Sequence, residues 1–326
     1  MHRRTALIGL VGLAAGTPPG TWGQGLVWPG ATVRIVVPYA AGGGTTDPLA
    51  RVFAEELGKE LGASFVVENK PGANGNIGAV LVKRAPPDGS VFLFTGTGTL
   101  ATNLALYKDP GFDTLKDFEP VAVVGNVPNV LVVNPSLKVN SVKEFVAHAQ
   151  KNPGAVSYAS TGSGSSMHMA GELFDQCTHV KMLHVPYNGA GGATTDLLAG
   201  TVQAMFQLVP GIAQQVKAGK VRALAVMSSR RSASLPDVPT MAEAGYPGLE
   251  SSTWLAFVAP KGTPPAITAR MNVAVNTLLG REAFRARLIE MGFEPMGGTQ
   301  KDFATFMSAE IRKWGDVVRK AGIAVE

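Results

Sequence analysis

Residues 32–61 read TVRIVVPYAAGGGTTDPLARVFAEELGKEL, and this stretch decides the fold. It opens on a β-branched run, 32–38, which predicts a buried strand. A glycine-rich turn follows, and over 47–61 apolar residues recur at four-residue spacing, which predicts a helix with one buried stripe. Asp47 can cap that helix and Pro48 suits its first position. A strand, a glycine-rich turn and a helix together form the repeating unit of an α/β sheet.

The same alternation continues along the chain. Further strands are predicted at 64–68, 90–95, 121–125, 130–134, 155–159, 182–186, 202–207, 221–227 and 252–259, with helices between them and three more at 266–279, 281–290 and 301–320. This pattern predicts a mainly parallel sheet with helices on both faces. The strand at 252–259 is predicted to return to the first unit. The chain would then cross between two lobes twice, near 127–134 and near 251–260, and two crossings form a hinge.

The first residues, MHRRTALIGLVGLAAGTPPG, join a charged cap to a short apolar run and then to Pro and Gly. This layout is typical of a secretory signal peptide. The apolar run is shorter than the roughly 20 residues that a membrane-spanning helix needs. We therefore predict a signal peptide at 1–25, a first lobe at 26–126 plus 251–326, and a second lobe at 127–250. Sec and twin-arginine export, and the cleavage site, both stay open.

Composition excludes several classes of protein. Lys and Arg number 29 against 24 acidic residues, and this small, dispersed excess argues against nucleic acid or an anionic membrane as a partner. A single cysteine, Cys177, excludes an intrachain disulfide and a cysteine-rich metal site. The sequence holds no G-x-x-x-x-G-K-[ST] phosphate loop, no G-x-S-x-G elbow and no metal-ligand spacing. We therefore expect no catalytic residues, no metal and no cofactor.

Four loops rich in Gly, Ser and Thr follow predicted strands, at 39–47, 95–99, 160–166 and 187–193. In an open α/β sheet, ligands lie outside the carboxyl ends of the strands. Glycine lets the backbone approach a ligand, helix starts favour an anion, and hydroxyl groups add uncharged donors. Any one of these loops alone is more typical of a steric turn or a helix cap. Two from each predicted lobe, facing one cleft, predict an anion site.

Longer motifs sharpen this interpretation. They are VVPYAAGGGT at 36–45, VENKPGANGNIG at 67–78, PPDG at 86–89, HVPY at 184–187 and LPDVPT at 235–240. In this order, over essentially the whole chain after the leader, they strongly resemble the Bug-type substrate-binding receptors of the tripartite tricarboxylate transporter family. The resemblance implies an α/β, two-lobed periplasmic-binding-protein fold of the Venus flytrap, type II-like kind. It also implies a monomer in the periplasm without a cofactor.

Carried over position by position, the resemblance implies a ligand carboxylate held by backbone amides and hydroxyls from both lobes. The residues so identified are Tyr39, Gly43, Gly44, Thr45, Asp47, Ser160, Ser163, Ser165, His168, Tyr187, Gly189 and Ala190. The loop at 95–99 adds Thr97 and Thr99. Gln207 stands where family members commonly have Asp or Asn facing the distal end of the ligand, which disfavours an amino acid as the ligand.

The predicted function is capture of a small carboxylate, which is a mono-, di- or tricarboxylate or an aromatic acid, in the cleft between the lobes. The resemblance implies delivery to the membrane permease subunits of a tripartite tricarboxylate transporter. The alternative is a periplasmic sensor that presents the bound acid to a signalling partner. An enzyme ranks third, because no nucleophile and base are found together in the sequence.

Overall fold

The computed structural model describes residues 28–42, 45–187 and 189–324. The predicted signal peptide, 1–25, and the predicted site residues Gly43 and Gly44 lie outside the described residues. Within the described ranges no helix is long and apolar enough to cross a membrane.

The sheet of the described residues is continuous and has ten strands. They are β1 (Thr32–Val37), β2 (Ser64–Asn69), β3 (Val91–Gly96), β4 (Phe118–Val133), β5 (Ser157–Ser160), β6 (Leu183–Pro186), β7 (Ala204–Leu208), β8 (Arg222–Val226), β9 (Ser252–Pro260) and β10 (Glu294–Pro295).

The helices pack on both faces of this sheet. They are α1 (Thr46–Leu61), α2 (Asn76–Lys83), α3 (Asn103–Leu106), α4 (Thr114–Asp117), α5 (Val142–Lys151), α6 (Ser166–Thr178), α7 (Ala190–Ala199), α8 (Val209–Lys217), α9 (Pro265–Gly280), α10 (Glu282–Glu290) and α11 (Gln300–Ala321). The buried stripe predicted on α1 is confirmed, since Leu49, Phe53 and Leu57 are buried. The Phe53 ring packs edge-on against Phe257 of β9 at 5.7 Å between centroids. Burying one such ring contributes about 1.5–3 kcal/mol.

The sheet consists of two parts that share β4. In the first part the strand order is β2, β1, β3, β9, β4, and in the second it is β4, β7, β5, β6, with β8 also on β4. β1 is parallel to β2 and β3, and β5 is parallel to β6 and β7. β9 is antiparallel to β3 and β4, and β4 is antiparallel to β7 and β8. The prediction of a mainly parallel sheet is therefore wrong at the centre of the sheet. There β9 and β4 are antiparallel to each other, β9 is antiparallel to β3, and β4 is antiparallel to β7 and β8.

β4 joins the two lobes. It is one strand of 16 residues where the sequence predicted two separate strands at 121–125 and 130–134. Residues 118–128 of β4 pair with β9, and residues 129–133 pair with β7. The two-lobed fold with two crossings is thus confirmed.

Buried polar groups fix the two crossings to each other. The Asn129 N–H donates to the Ser251 carbonyl at 3.0 Å, and the Ser251 hydroxyl donates to Asn129 Oδ1 at 3.0 Å. Asn129 Nδ2 also donates to the Phe206 carbonyl of β7 at 2.8 Å. Asn129 and Ser251 are both almost fully buried, so leaving either unpaired would cost about 1–3 kcal/mol. The two crossings therefore form one joint.

Candidate functional site

A cavity of about 400 Å³ lies between the lobes, at the carboxyl ends of β1, β3, β5 and β7. This size suits a small organic ligand. Its lining residues come from both lobes and are Tyr39, Thr45, Thr46, Asn74, Gly96, Thr97, Gly98, Thr161, Gly164, Ser165, Ser166, Leu208, Thr253 and Leu255. Four of the predicted site residues, Tyr39, Thr45, Thr97 and Ser165, are among them. These four residues come from three of the predicted loops, 39–47, 95–99 and 160–166.

The first-lobe wall is fixed by hydroxyl groups beneath it. The Tyr39 hydroxyl lies 2.9 Å from Thr99 Oγ1, and Thr95 Oγ1 donates to Thr99 Oγ1 at 3.0 Å. Thr99 is fully buried and does not line the cavity, so it supports Tyr39 from behind. Thr97 does line the cavity, and its Oγ1 accepts the Trp254 N–H of β9 at 3.0 Å. The close approach of β9 requires glycine at position 96, where a Cβ would lie 1.7 Å from the Trp254 carbonyl oxygen.

Asp47 lies beneath the first-lobe loop and does not line the cavity. Thr45, not Asp47, is the N-cap residue of α1. The Asp47 carboxylate accepts the Gly42 N–H at 2.8 Å, Arg51 Nε at 3.0 Å and Asn69 Nδ2 at 2.8 Å. Burial opposes ionisation, but these hydrogen bonds and the Arg51 charge hold the pKa of Asp47 below its usual value. Asp47 is therefore an ionised brace for the loop.

The second-lobe wall is formed by Leu208 at the end of β7 and by the loop residues Thr161, Gly164, Ser165 and Ser166. Ser165 is the N-cap residue of α6, where its Oγ accepts the His168 N–H at 3.3 Å. The other residues predicted in this loop lie elsewhere. Ser163 is exposed to solvent outside the cavity, whereas Ser160 and His168 are buried behind the loop.

The second loop predicted in this lobe also stays outside the cavity. The Tyr187 hydroxyl donates to Asp196 Oδ2 at 2.6 Å, and this bond, with burial, raises the pKa of Tyr187 to about 12. Gly189 precedes α7 with a φ of 119°, a conformation that favours glycine, and Ala190 is exposed.

Gln207 lies next to the cavity rather than in its wall. Its Oε1 accepts the N–H of Leu208, the neighbouring residue that does line the cavity, at 2.8 Å. Its Nε2 is buried and has no hydrogen-bond partner among the residues that the structure describes. A buried amide donor left without a partner is costly, so the described residues do not fully satisfy the Gln207 amide.

No charged side chain is found among the described residues that line the cavity. The wall instead offers hydroxyl and amide groups and the first turns of two helices, α1 from the first lobe and α6 from the second. The unpaired N–H groups of a helix start and the helix dipole favour an anion. Within the described ranges no cluster of His, Cys, Asp and Glu could hold a metal ion. The cavity is therefore suited to an anion bound by uncharged donors.

Ten lining residues were not predicted as site residues, and four of these, Asn74, Leu208, Thr253 and Leu255, also lie outside the four predicted loops. Asn74 belongs to the motif at 67–78 and has a positive φ of 51°, a local signal for a loop that turns back to the sheet. Thr253 and Leu255 lie on the crossing strand β9, and Leu208 ends β7. Pairing between residues far apart in sequence brings these three to the cavity, and no local motif marks them.

Known proteins share this architecture. The sequence profile of the tripartite tricarboxylate transporter family receptor matches residues 49–323. Protein BugT of Bordetella pertussis is 37% identical over 327 residues, covering 99% of this chain and 98% of BugT. The structure of Rhodopseudomonas palustris Rpa4515 with adipate is 40% identical and has a TM-score of 0.79, covering 91% of this chain and 99% of that one.

A second solved structure, MatC from Rhodopseudomonas palustris with bound malate, is 33% identical and has a TM-score of 0.74. It covers 89% of this chain and 100% of MatC. The family is one of periplasmic solute-binding receptors and not of enzymes. On its profile match and its near full-length relatives, the chain belongs to the receptors of the tripartite tricarboxylate transporter family.

Proposed function

We propose that this protein captures a small carboxylate in the inter-lobe cavity, in the periplasm, and delivers it as a monomer to the membrane permease of a tripartite tricarboxylate transporter. The observation that carries the proposal is the cavity wall, in which uncharged donors and one helix start from each lobe converge on about 400 Å³. The related receptors with adipate and with malate hold dicarboxylates. A dicarboxylate is therefore the first ligand to test.

The division of the donors between the lobes gives the mechanism. Tyr39, Thr45 and Thr97 stand on the first lobe and Ser165 and Ser166 on the second. Neither set of donors surrounds a carboxylate alone, so the closed form of the protein binds the ligand better than the open form. Ligand therefore shifts the conformational equilibrium toward the closed form. We propose lobes of 26–126 plus 251–326 and of 127–250. We also propose that the remaining predicted residues Tyr187, Gly189 and Ala190 approach the ligand when the lobes close.

Neutral donors suit a protein that must release its ligand. An Arg clamp would add a second charge and a bidentate geometry to the bonds with a carboxylate, and would therefore hold it more strongly than uncharged donors do. Hydroxyl and backbone donors select the carboxylate by their position and number. When the lobes open, the donors of one lobe move away from the ligand together. Transfer to a permease then needs only lobe opening.

A thermal-unfolding screen with mono-, di- and tricarboxylates and aromatic acids tests the proposal. A ligand at 100 times its Kd adds about 2.7 kcal/mol to the free energy of unfolding. The matched variants are Ser166→Ala, which alters the cavity wall, and Ser163→Ala, which alters an exposed serine of the same loop. We expect Ser166→Ala to weaken binding of the best acid severalfold and Ser163→Ala to leave it unchanged. No stabilisation by any acid would refute the proposal.

Solution scattering tests lobe closure. The radius of gyration should decrease when the wild-type protein is saturated with the best acid of the screen. An unchanged scattering curve at saturation would instead indicate a rigid, preformed pocket.

A further inference from the structure

A buried polar cluster lies behind the second-lobe wall and contains none of the residues that line the cavity. Its centre is a pair of imidazole rings, His168 and His184, stacked at 3.8 Å between centroids with 11° between the ring planes. His168 is 2% exposed and His184 is partly buried. We call these two side chains the imidazole pair.

His168 ties one point of the loop at 160–166. The Gly164 N–H donates to His168 Nδ1 at 3.0 Å, so Nδ1 carries no proton and the ring proton is on Nε2. Nε2 faces Glu172 Oε1 at 3.4 Å, and the same oxygen accepts the Tyr158 hydroxyl at 2.9 Å. These contacts fix the tautomer that accepts from Gly164.

His184 ties a second point of the loop. Its Nε2 lies 2.7 Å from Ser160 Oγ, and that oxygen accepts the Gly162 N–H at 3.0 Å. Burial, and then the adjacent His168 ring, lowers the pKa of His184 to about 4, so this ring is neutral at neutral pH. The remaining ionisable groups of the cluster are Tyr158 of β5 and Glu172 and Asp175 of α6.

We propose that His168 and His184 are positioning residues, which hold the loop at 160–166 so that its donors face the cavity. The two ties fix Gly162 and Gly164, and the wall residues Thr161 and Ser165 lie directly beside them. Gly164 also meets the first lobe, because a Cβ there would lie 2.2 Å from Leu106 Cδ2. A shift of this loop would therefore disturb both the wall and the contact between the lobes.

The alternative role for a Ser and a His at 2.7 Å is nucleophilic catalysis. Ser160 is fully buried, so no substrate can reach its hydroxyl in this structure. The same oxygen is occupied by the Gly162 N–H. Support of the loop is the role that this geometry allows.

Variants that keep or remove the accepting atom test the inference, which rests on the proposed function. Asn can place an amide oxygen near the position of Nδ1, and Gln can place a polar atom near the position of Nε2. The pairs are therefore His168→Asn against His168→Leu, and His184→Gln against His184→Leu. The first readout is hydrogen exchange of the Gly162 and Gly164 amides in the ligand-free mature protein. The second is calorimetric affinity for adipate and malate.

We expect His168→Leu to speed exchange at Gly164, and His184→Leu to speed exchange at Gly162, by about tenfold, with amides near 196–200 unchanged. Affinity for the better-bound acid should fall by a similar factor, and the Asn and Gln variants should restore most of both. Wild-type exchange in the Leu variants would overturn the inference. Equal losses in the Asn and Leu variants would also overturn it, because the rings would then only fill space.

The two readouts separate this inference from the proposed function. Exchange in the ligand-free protein depends on the loop alone. If the wild-type protein binds no acid in the screen, the proposed function fails whatever the exchange rates show. If it binds an acid and the Leu variants bind equally well, the positioning role fails and the proposed function stands.

Discussion

The two loops that wall the cavity offer it the same chemistry and are supported in different ways. The first-lobe loop, 39–47, is braced by the ionised Asp47 with Arg51 as its counter-ion. The second-lobe loop, 160–166, is braced by the imidazole pair, in which the accepting atom His168 Nδ1 carries no proton. Both present uncharged donors and a helix start to the ligand. A wall without charges needs stiff loops, and here the stiffness comes from behind the wall.

The difference has a consequence for the electric field in the cavity. A carboxylate beneath the first loop would repel an anionic ligand if it stood alone, so its pairing with Arg51 is required. The His184 ring beneath the second loop is neutral at neutral pH and needs no counter-ion toward the cavity. Removal of Asp47 should therefore cost more stability than removal of either imidazole ring.

Removal of the charged brace should have the largest effect. Asp47→Ala leaves the Gly42 N–H, the Asn69 amide and Arg51 without their acceptor, and we expect a loss of about 3 kcal/mol in the free energy of unfolding. If Asp47 only capped the helix, as its place in the sequence predicted, Asp47→Asn would retain much of the affinity, because Asn caps equally well. Because both carboxylate oxygens accept N–H donors, we expect Asp47→Asn to lose stability and affinity to a degree between wild type and Asp47→Ala.

Urea unfolding and the affinity for the best acid measure both variants. The matched control is Glu55→Gln in the same helix, which removes an exposed ion pair with Lys59 and should leave the free energy of unfolding nearly unchanged. Equal, near-complete loss of binding in Asp47→Ala and Asp47→Asn, with unchanged stability, would indicate a direct role of the charge instead.

Two buried groups behind the second-lobe loop, His184 and Asp175, should change the free energy of unfolding with pH in opposite directions. The pKa of His184 is about 4, below its usual 6.5, so between these values the unfolded chain binds a proton that the folded protein does not. The contribution of His184 to the free energy of unfolding therefore falls as pH falls. Burial raises the pKa of Asp175 from 3.8 to about 7, so over the same range its contribution falls as pH rises. The two slopes offset each other in the wild-type protein.

Asp175→Asn removes one of these two contributions and should reveal the pH dependence of the other. Between pH 4 and pH 7, the unfolding free energy of this variant relative to wild type should rise by on the order of 2 kcal/mol. His184→Gln should show the opposite sign, gaining relative stability toward low pH. Urea unfolding at several pH values measures both. Parallel curves for wild type and both variants would show that neither group titrates as its burial implies.

Local patterns in the sequence were sufficient for the elements and for part of the wall. Periodicity predicted the stripe on α1, and glycine-rich loops after parallel strands predicted that Thr45, Thr97 and Ser165 converge. His168 was also predicted at the cleft, yet its ring points away because the Gly164 N–H holds Nδ1 behind the loop. The direction of a side chain in a first helical turn depends on the preceding loop, which no periodicity specifies.

The centre of the sheet was beyond such patterns for a related reason. The antiparallel pairing of β9 with β4 joins residues more than 100 positions apart, as in Asn126 with Trp254. The β-propensity of a strand depends on its neighbours in the sheet, so strand-helix alternation along the chain gave no sign of this antiparallel pairing. Thr253 and Leu255 reached the cavity wall through this pairing.

Thr97 tests whether the first-lobe support extends to the hinge. Its Oγ1 accepts the Trp254 N–H, so Thr97→Val keeps the shape and leaves a buried donor unpaired, at a cost of about 1–2 kcal/mol. Thr97→Ser keeps the hydroxyl and should cost less. Urea unfolding compares the two. Equal stability of the Val and Ser variants would show that the hydroxyl does not hold the crossing strand.

Gln207 should have the smallest effect on stability and an effect on selectivity. Gln207→Met removes one hydrogen bond, to the Leu208 N–H, together with one buried donor that has no partner within the described residues. The two terms oppose each other, so the unfolding free energy should change by less than about 1 kcal/mol.

If Nε2 serves the distal end of a ligand, the ratio of affinities for adipate and malate should shift severalfold, because the two acids differ in length and in a hydroxyl group. Calorimetric titration of wild type and Gln207→Met with both acids measures this ratio. A ratio that stays constant while both affinities are retained would remove Gln207 from the site and leave selectivity to the two loops.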